Sequence, residues 1–258
     1  MNLNIRLAMR EDYEELLELS NEAEWNYEIE DFVLMNESGI SKILVVERSN
    51  AIEKSDIIGM ITIFDYGQIG WISNLIVREN WRRKGIGSLL LREALKLLNG
   101  KKTIALFSKQ ESIGFYLKNG FKIDREFYFV RFNGNGKEYE NLIGDWDEDI
   151  YIMDRFCFGY DRKPLLKLMM SRGYIIKRNR EFAIIRPSPK ESTIGPVISN
   201  NESFLFIAMA SSGKGSVAVT TTYYDFVDII YKVYRMYLGE PPYTYYPLVK
   251  AFAGLEYG

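Results

Sequence analysis

The sequence predicts a mixed α/β protein in two parts, and three observations lead to that expectation. A chain of 258 residues, at roughly 150 per domain, has room for one large domain or two small ones. Strand-like and helix-like segments alternate from the amino terminus onward. The stretch Asn133 to Asp149, NGNGKEYENLIGDWDED, holds three glycines, many acids and no clear period, as linkers and long turns do. The expected division is a first domain over 1–135, a linker over 136–144 and a second, smaller α/β domain over 145–258.

Leu3 to Leu7 reads as a short strand, and Glu11 to Leu19 as a helix with Leu16, Leu17 and Leu19 on its inner side. A polar, acidic stretch from Glu22 to Glu30 leads to a second helix near Phe32. Three strands follow, Ile43 to Val46, Ile57 to Phe64 and Ile69 to Val77, which could pair as a meander. Gly85 to Leu98 repeats apolar residues at Ile86, Leu90, Ala94 and Leu97, then stops at Asn99-Gly100, the chemistry of a left-handed helix cap. Thr103 to Phe107 is expected as a strand, Ser112 to Lys118 as a short helix ending at Asn119-Gly120, and Phe121 to Phe132 as a strand or two. In the second part, Pro164 to Ser171 and Phe226 to Tyr237 read as helices. Tyr174 to Lys177, Phe182 to Ile185 and Ser216 to Thr221 read as strands.

Composition narrows the chemistry. Apolar residues at 47% can build a core and charged residues at 26% can solvate it. A formal charge of −2 is too balanced for a nucleic-acid coat or a polybasic membrane binder, so any phosphate site must be local. The longest unbroken apolar run, Phe204 to Ala210, is far short of the ~20 residues that cross a bilayer, and the amino terminus lacks the apolar core of a secretory signal. These features favour a cytoplasmic protein with no membrane partner. One cysteine, Cys157, forms no internal disulfide, and its setting between Phe156 and Phe158 suits a small buried hydrophobe. With no histidine, serine–histidine and cysteine–histidine catalysis are excluded, and so is the commonest zinc ligand, so no metal is expected.

The informative stretch is Leu75-Ile76-Val77-Arg78-Glu79-Asn80-Trp81-Arg82-Arg83-Lys84-Gly85-Ile86-Gly87-Ser88: a strand, a basic turn, then a helix opening on two glycines. Amides at a helix start lack partners, the helix dipole favours an anion there, and glycines allow close approach. Arg82, Arg83 and Lys84 add positive charge, which suits a pyrophosphate; on spacing alone a solvated loop is as good a reading. Neither the Rossmann fingerprint nor the P-loop fits here. Ser212-Gly213-Lys214-Gly215-Ser216 lacks the upstream glycine of a P-loop.

The stretch VRENWRRKGIGSLLL, Val77 to Leu91, resembles the acyl-CoA signature R/Q-x-x-G-x-G/A of the GNAT superfamily of N-acetyltransferases, with Arg82, Gly85 and Gly87 filling it. Ser112 to Phe121, SIGFYLKNGF, resembles the second motif of that superfamily, a tyrosine on a short helix before a Gly-Phe turn. The likeness covers residues 1 to about 132. More loosely, MDRFCFGYDR, RGYIIKR, IGPVI and AFAGLEYG resemble the carboxy-terminal half of tandem GNAT proteins, a GNAT-like fold without the glycine signature.

The resemblance implies a GNAT-like acyltransferase fold that binds acetyl-CoA and acetylates a primary amine by direct attack; a non-catalytic acyl-CoA-binding or regulatory protein is the alternative. It implies that Leu75, Ile76 and Val77 hold the pantetheine arm and polarise the thioester carbonyl. The pyrophosphate is then expected on the amides from Arg82 through Arg83, Lys84, Gly85 and Ile86 to Gly87, with Ser88 on the first helical turn. Tyr116 matches the tyrosine that protonates the departing thiolate, the alternative being a core-lining ring. Two positions depart from the pattern: Lys109 replaces an asparagine often found seven residues before that tyrosine, and the signature strand offers only Ser73 and Asn74 where some members carry a glutamate base. No base is therefore assigned. A lysine-like amine of pKa ~10.4 costs about 4.6 kcal/mol to deprotonate at pH 7, an α-amine near 8 only about 1.4. Glu24, Glu28 and Glu30 could attract a cationic small-molecule or peptide amine, or form a solvated acidic face. The second half lacks a glycine cradle, so one acetyl-CoA per chain is expected. Its role as a wall of the acceptor site or as a stabilising appendage stays open.

Overall fold

The computed structural model describes residues 2–25, 27–49, 56–133, 142–213 and 215–258. By Cα proximity the chain forms two compact units, Met1–Ile104 and Ala105–Gly258.

The first unit is a strand meander covered by helices. It contains β1 (Asn2–Leu7), α1 (Tyr13–Glu22), α2 (Ile29–Glu37), β2 (Ser41–Ser49), β3 (Asp56–Tyr66), β4 (Ile69–Val77) and α3 (Ile86–Leu97). Strands β1 to β4 pair antiparallel in chain order, as the meander reading of Ile43 to Val77 expects. Ile and Val residues on both faces of the central strands fill the interior: Ile43, Val45, Ile58 and Ile61 are fully buried. Helix α3 presents Ile86, Leu90, Leu91 and Ala94 to the sheet; burying a side chain such as Leu90 contributes about 1.5–3 kcal/mol. Leu97, expected on that stripe, is 45% exposed, and Leu98 takes the buried position instead. The fit over β3 requires a missing side chain: a Cβ on Gly59 would stand 2.9 Å from the Ile76 carbonyl oxygen and 3.2 Å from the Leu90 side chain. This contact holds α3 close against the end of β4.

The second unit begins within β5 (Thr103–Lys109) and continues through α4 (Ile113–Lys118), β6 (Lys122–Phe132), β7 (Ile143–Gly144), α5 (Glu148–Phe158), α6 (Lys163–Met170), β8 (Tyr174–Arg178), β9 (Glu181–Arg186), β10 (Ser192–Ile198), α7 (Glu202–Ala210), β11 (Ser216–Thr220), β12 (Asp228–Gly239) and β13 (Val249–Phe252). Its strand order is β5-β12-β6-β11-β13-β10-β9-β8-β7, with β10 and β11 parallel. Most of the expected linker, 136–141, lies outside the described residues, while Ile143–Gly144 pair with β8. Val130, Ile176, Ile194, Phe204, Leu205 and Ala218 form its core.

One expected helix is a strand. Phe226 to Tyr237 fits a helical period, but Asp228–Gly239 forms β12, paired antiparallel with β6 from Asp228 opposite Arg131 to Tyr237 opposite Lys122. The run Ile-Ile-Tyr-Lys-Val-Tyr is rich in β-branched and aromatic residues, which favour a pleated surface, and β6 offers it an edge. Arg235, expected to turn away from the apolar face, is 3% exposed; its Nε donates to Asp124 at 2.7 Å and one Nη to the Thr244 hydroxyl at 2.7 Å. Strand β6 thus lies between β12 and β11, so residues on both sides of the expected boundary share one ladder.

Candidate functional site: a bulged strand leading into an open cationic helix start

Strand β4 is irregular near its end. Thr62 pairs with Ser73 and Met60 with Ile76, so two steps on β3 oppose three on β4. The extra residue is accommodated at Asn74, whose φ is +52° and which is 9% exposed. Such a bulge bends the strand and re-aims the residues that follow it, here Leu75, Ile76 and Val77.

After Val77 the chain makes a short 3₁₀ turn, Glu79–Trp81. Arg78 anchors its start: Nε donates to the Ile57 carbonyl at 2.8 Å, and the guanidinium pairs with Glu22 and, at 3.6 Å, with Glu18. Arg82 folds back, with Nε donating to the Val77 carbonyl at 3.0 Å, which ties the strand end to the turn. Two cations approach the Trp81 ring, the Lys84 ammonium 4.7 Å and the Arg48 guanidinium 5.7 Å from its centre. Arg83 takes a left-handed φ of +60°, and Gly85 takes +81° as the residue that caps α3, a conformation that favours glycine.

The start of α3 is left open. No side chain caps it, and no acid lies in its first turn. The first amide with a helical acceptor is Leu89, donating to the Gly85 carbonyl at 3.0 Å, so the amides of Ile86, Gly87 and Ser88 have no intrahelical partner. Arg82, Arg83, Lys84 and Gly85 are exposed, and among the described residues none of the three cations is ion-paired. Three cations beside the positive end of a helix dipole repel it unless an anion joins them. The arrangement is one that a phosphate or pyrophosphate relieves. An open cleft of about 680 Å³ borders the turn, lined by Glu18, Glu22, Asp56, Arg78, Glu79, Asn80, Trp81 and Arg82; its acidic lining is unsuited to an anion.

The structure brings Leu75 to Ser88 together in the first unit. Tyr116 belongs to the second unit, on α4, where it is 8% exposed and in edge contact with Phe115 and Phe121. Burial pushes its phenol well above the usual tyrosine range, so it stays protonated at neutral pH. Lys109 lies in that unit too, its ammonium 4.5 Å from the centre of the Tyr231 ring. Of the three glutamates, Glu28 caps α2 and accepts from backbone there, while Glu24 and Glu30 are exposed. Cys157 is buried and its thiol is pushed up to about 12, chiefly by burial, which suits an inert core residue. Among the described residues no three His, Cys, Asp or Glu side chains group as metal ligands would, and no helix is long and apolar enough to cross a membrane.

Two features escaped the sequence. In the sequence Asn74 is one polar residue of a strand, and nothing local marks it as left-handed. Tyr27, whose hydroxyl donates to Asn74 Oδ1 at 2.8 Å, is 47 residues away.

Residues 40–123 match the family model described as an acetyltransferase (GNAT) domain. A curated but uncharacterized N-acetyltransferase of Bacillus subtilis strain 168, YitH, is 26% identical over 175 residues; the match spans 62% of this chain and 62% of that protein's length. A candidate acetyltransferase of Pyrococcus horikoshii has a similar fold, with a TM-score of 0.82 at 17% identity over 99% of this chain and 96% of that one. A GCN5-related N-acetyltransferase from Kribbella flavida gives 0.53 at 13% identity over 92% and 71%. The matched segment contains the bulged strand, the cationic turn and the open start of α3 in one piece, and through it the chain is similar to acetyltransferases of the GNAT superfamily.

Proposed function

We propose that the chain transfers an acetyl group from acetyl-CoA to a primary amine of a small molecule or peptide. The observation that carries this reading is the uncapped, cationic start of α3 at the end of a bulged strand. The pyrophosphate of the cofactor takes the unpartnered amides of Ile86, Gly87 and Ser88, with Arg82, Arg83 and Lys84 supplying charge and Gly85 the turn. The backbone of Leu75, Ile76 and Val77 holds the pantetheine arm and the thioester carbonyl.

In the reaction the amine nitrogen attacks the thioester carbon, a C–N bond forms and the C–S bond breaks, with no covalent enzyme intermediate. The sulfur leaves as a thiolate and takes a proton from the phenol of Tyr116, while the amine gives up a proton to water and solvent returns one to the phenolate. The phenol of Tyr116 is protonated at neutral pH, as a donor must be, and burial, which disfavours its phenolate, rules out a role as base. A neutral Asn74 and Ser73 on β4 favour acceptors that lose their proton easily, such as α-amines, for which deprotonation at pH 7 costs about 1.4 kcal/mol.

The test is a screen of peptides, lysine analogues, polyamines and small amines for amine-dependent thiol release from acetyl-CoA, with mass spectrometry of the product. Acetylated amine is the expected outcome; acetyl-CoA binding without amine-dependent thiol release would make the chain an acyl-CoA-binding module. Tyr116→Phe is expected to lower turnover ~10²-fold with cofactor affinity unchanged, in the range for one positioned proton donor. Equal turnover would return Tyr116 to the core.

A further inference from the structure

Four described residues other than glycine have positive φ: Glu24, Asn74, Arg83 and Asn179. Asn74 alone lies inside a strand and is buried. A left-handed non-glycine residue costs about 1–3 kcal/mol and persists only where its surroundings over-determine it. Here both ends of the side-chain amide are engaged. Oδ1 accepts from the Tyr27 hydroxyl at 2.8 Å, and Nδ2 donates to Thr62 Oγ1 at 3.2 Å, with the Met35 sulfur 3.4 Å away. Tyr27 is itself fixed, its ring in edge contact with Trp25 at 5.8 Å and with the fully buried Phe32 at 5.6 Å.

The bulge lies three residues before Val77, whose carbonyl accepts from Arg82. A one-residue insertion in a strand inverts the side-chain phase of everything after it. The conformation of Asn74 therefore sets which groups of Leu75, Ile76 and Val77 face outward as the strand enters the cationic turn.

We propose that Asn74 and Tyr27 are a positioning pair: the Tyr27 hydroxyl locks Asn74 in its left-handed conformation, and the locked bulge aims the Leu75–Val77 backbone at the acyl end of the bound thioester. Neither side chain touches the cofactor; both act through the strand. Tyr27 thereby makes the segment between α1 and α2 part of the device that presents the acyl group. The proposal rests on the acetyl-CoA reading above.

The experiment compares calorimetric affinities for acetyl-CoA and for free CoA, which has the same nucleotide and pantetheine but no acyl carbonyl. Tyr27→Phe keeps the ring contacts and removes one neutral hydrogen bond. It should weaken acetyl-CoA about three- to tenfold while CoA stays within about twofold. Asn74→Ala should show a larger loss of the same kind. Asn74→Gly should recover part of it, because glycine adopts φ near +52° without strain. An unchanged ratio of acetyl-CoA to CoA affinity in both Tyr27→Phe and Asn74→Ala overturns the proposal and leaves the pair a purely structural contact. If Asn74→Ala does not fold, Tyr27→Phe decides alone. A parent protein that binds neither ligand defeats the acetyl-CoA reading, and this inference with it. Loss of both ligands in Gly87→Trp, with the ratio unchanged in Tyr27→Phe, defeats this inference only.

Discussion

Helix α5 starts as stable helices commonly do. Asp147 caps it, accepting from the Ile150 amide at 3.2 Å, and Glu148 and Asp149 place negative charge in its first turn. Asp147 also pairs with Lys177. Helix α3 reverses each of these choices: glycine in place of a capping side chain, no acid in the first turn, and Arg82, Arg83 and Lys84 beside the positive end of the dipole. Nothing in the amphipathic quality of the two helices requires this, since α3 buries a full apolar stripe. The difference teaches that α3 leaves open at its start the charge and hydrogen-bonding requirements that α5 meets from within the chain. An anion meets all of its unmet requirements at once.

Breaking the open end of α3 should have the largest effect. Gly87→Trp fills the approach to the amides proposed to bind the pyrophosphate, and it is expected to weaken acetyl-CoA ~10²-fold or more with the fold intact. Calorimetry alongside circular dichroism checks both parts; unchanged affinity in a folded variant would remove the site.

Charge reversal in the turn sharpens the contrast further. Lys84→Glu should weaken acetyl-CoA about tenfold, which is roughly 1.4 kcal/mol, and yet raise the stability of the ligand-free protein by about 0.3–1 kcal/mol, because an acid near a helix start is favourable. The affinity loss should shrink as salt rises from 0.1 M to 1 M and the screening length falls from ~10 Å to ~3 Å. Denaturant melts with and without ligand measure both signs; a variant that loses both stability and affinity would contradict the reading of this helix start.

At α5 the same kind of change should act on stability alone. Asp147→Ala is expected to cost about 1 kcal/mol and leave acetyl-CoA affinity unchanged. The effect depends on pH. Its hydrogen bond to the Lys177 ammonium holds the Asp147 carboxyl below the usual range, so its contribution is present above the unfolded value of about 3.9 and is lost as pH falls through the lower folded value. The difference in melting temperature between parent and Asp147→Ala, a few degrees at pH 6, should therefore vanish in strong acid. A difference that persists there would mean that the carboxylate is not its source.

Much of the first unit was legible because its signals are local. The apolar, β-branched run of Ile57 to Phe64, the apolar repeat of Gly85 to Leu98 and the Asn99-Gly100 stop each lie within a few residues of the structure they specify. Helix α5 carried such a signal in Asp147-Glu148-Asp149, a cap followed by two acids, but the glycines and acids around it gave the stretch the composition of a linker. For β12 the apolar residues fit a helical period and a strand, and composition alone leaned towards the strand.

The sequence by itself made the cationic helix start visible, two glycines and three cations in six residues, because unpartnered amides and the dipole are properties of the helix alone, while a solvated loop fitted the same spacing equally well. Only the tertiary structure decided the rest. Arg235 looked solvated and is buried because Asp124, 111 residues away, and Thr244 and Tyr246, from the segment after β12, supply acceptors for its guanidinium. Asn74 looked like an ordinary strand residue and is left-handed because Tyr27 and Thr62 meet its amide across the fold. A polar group's role depends on the partners it finds, and those partners are brought together by packing of distant segments, which no local pattern encodes.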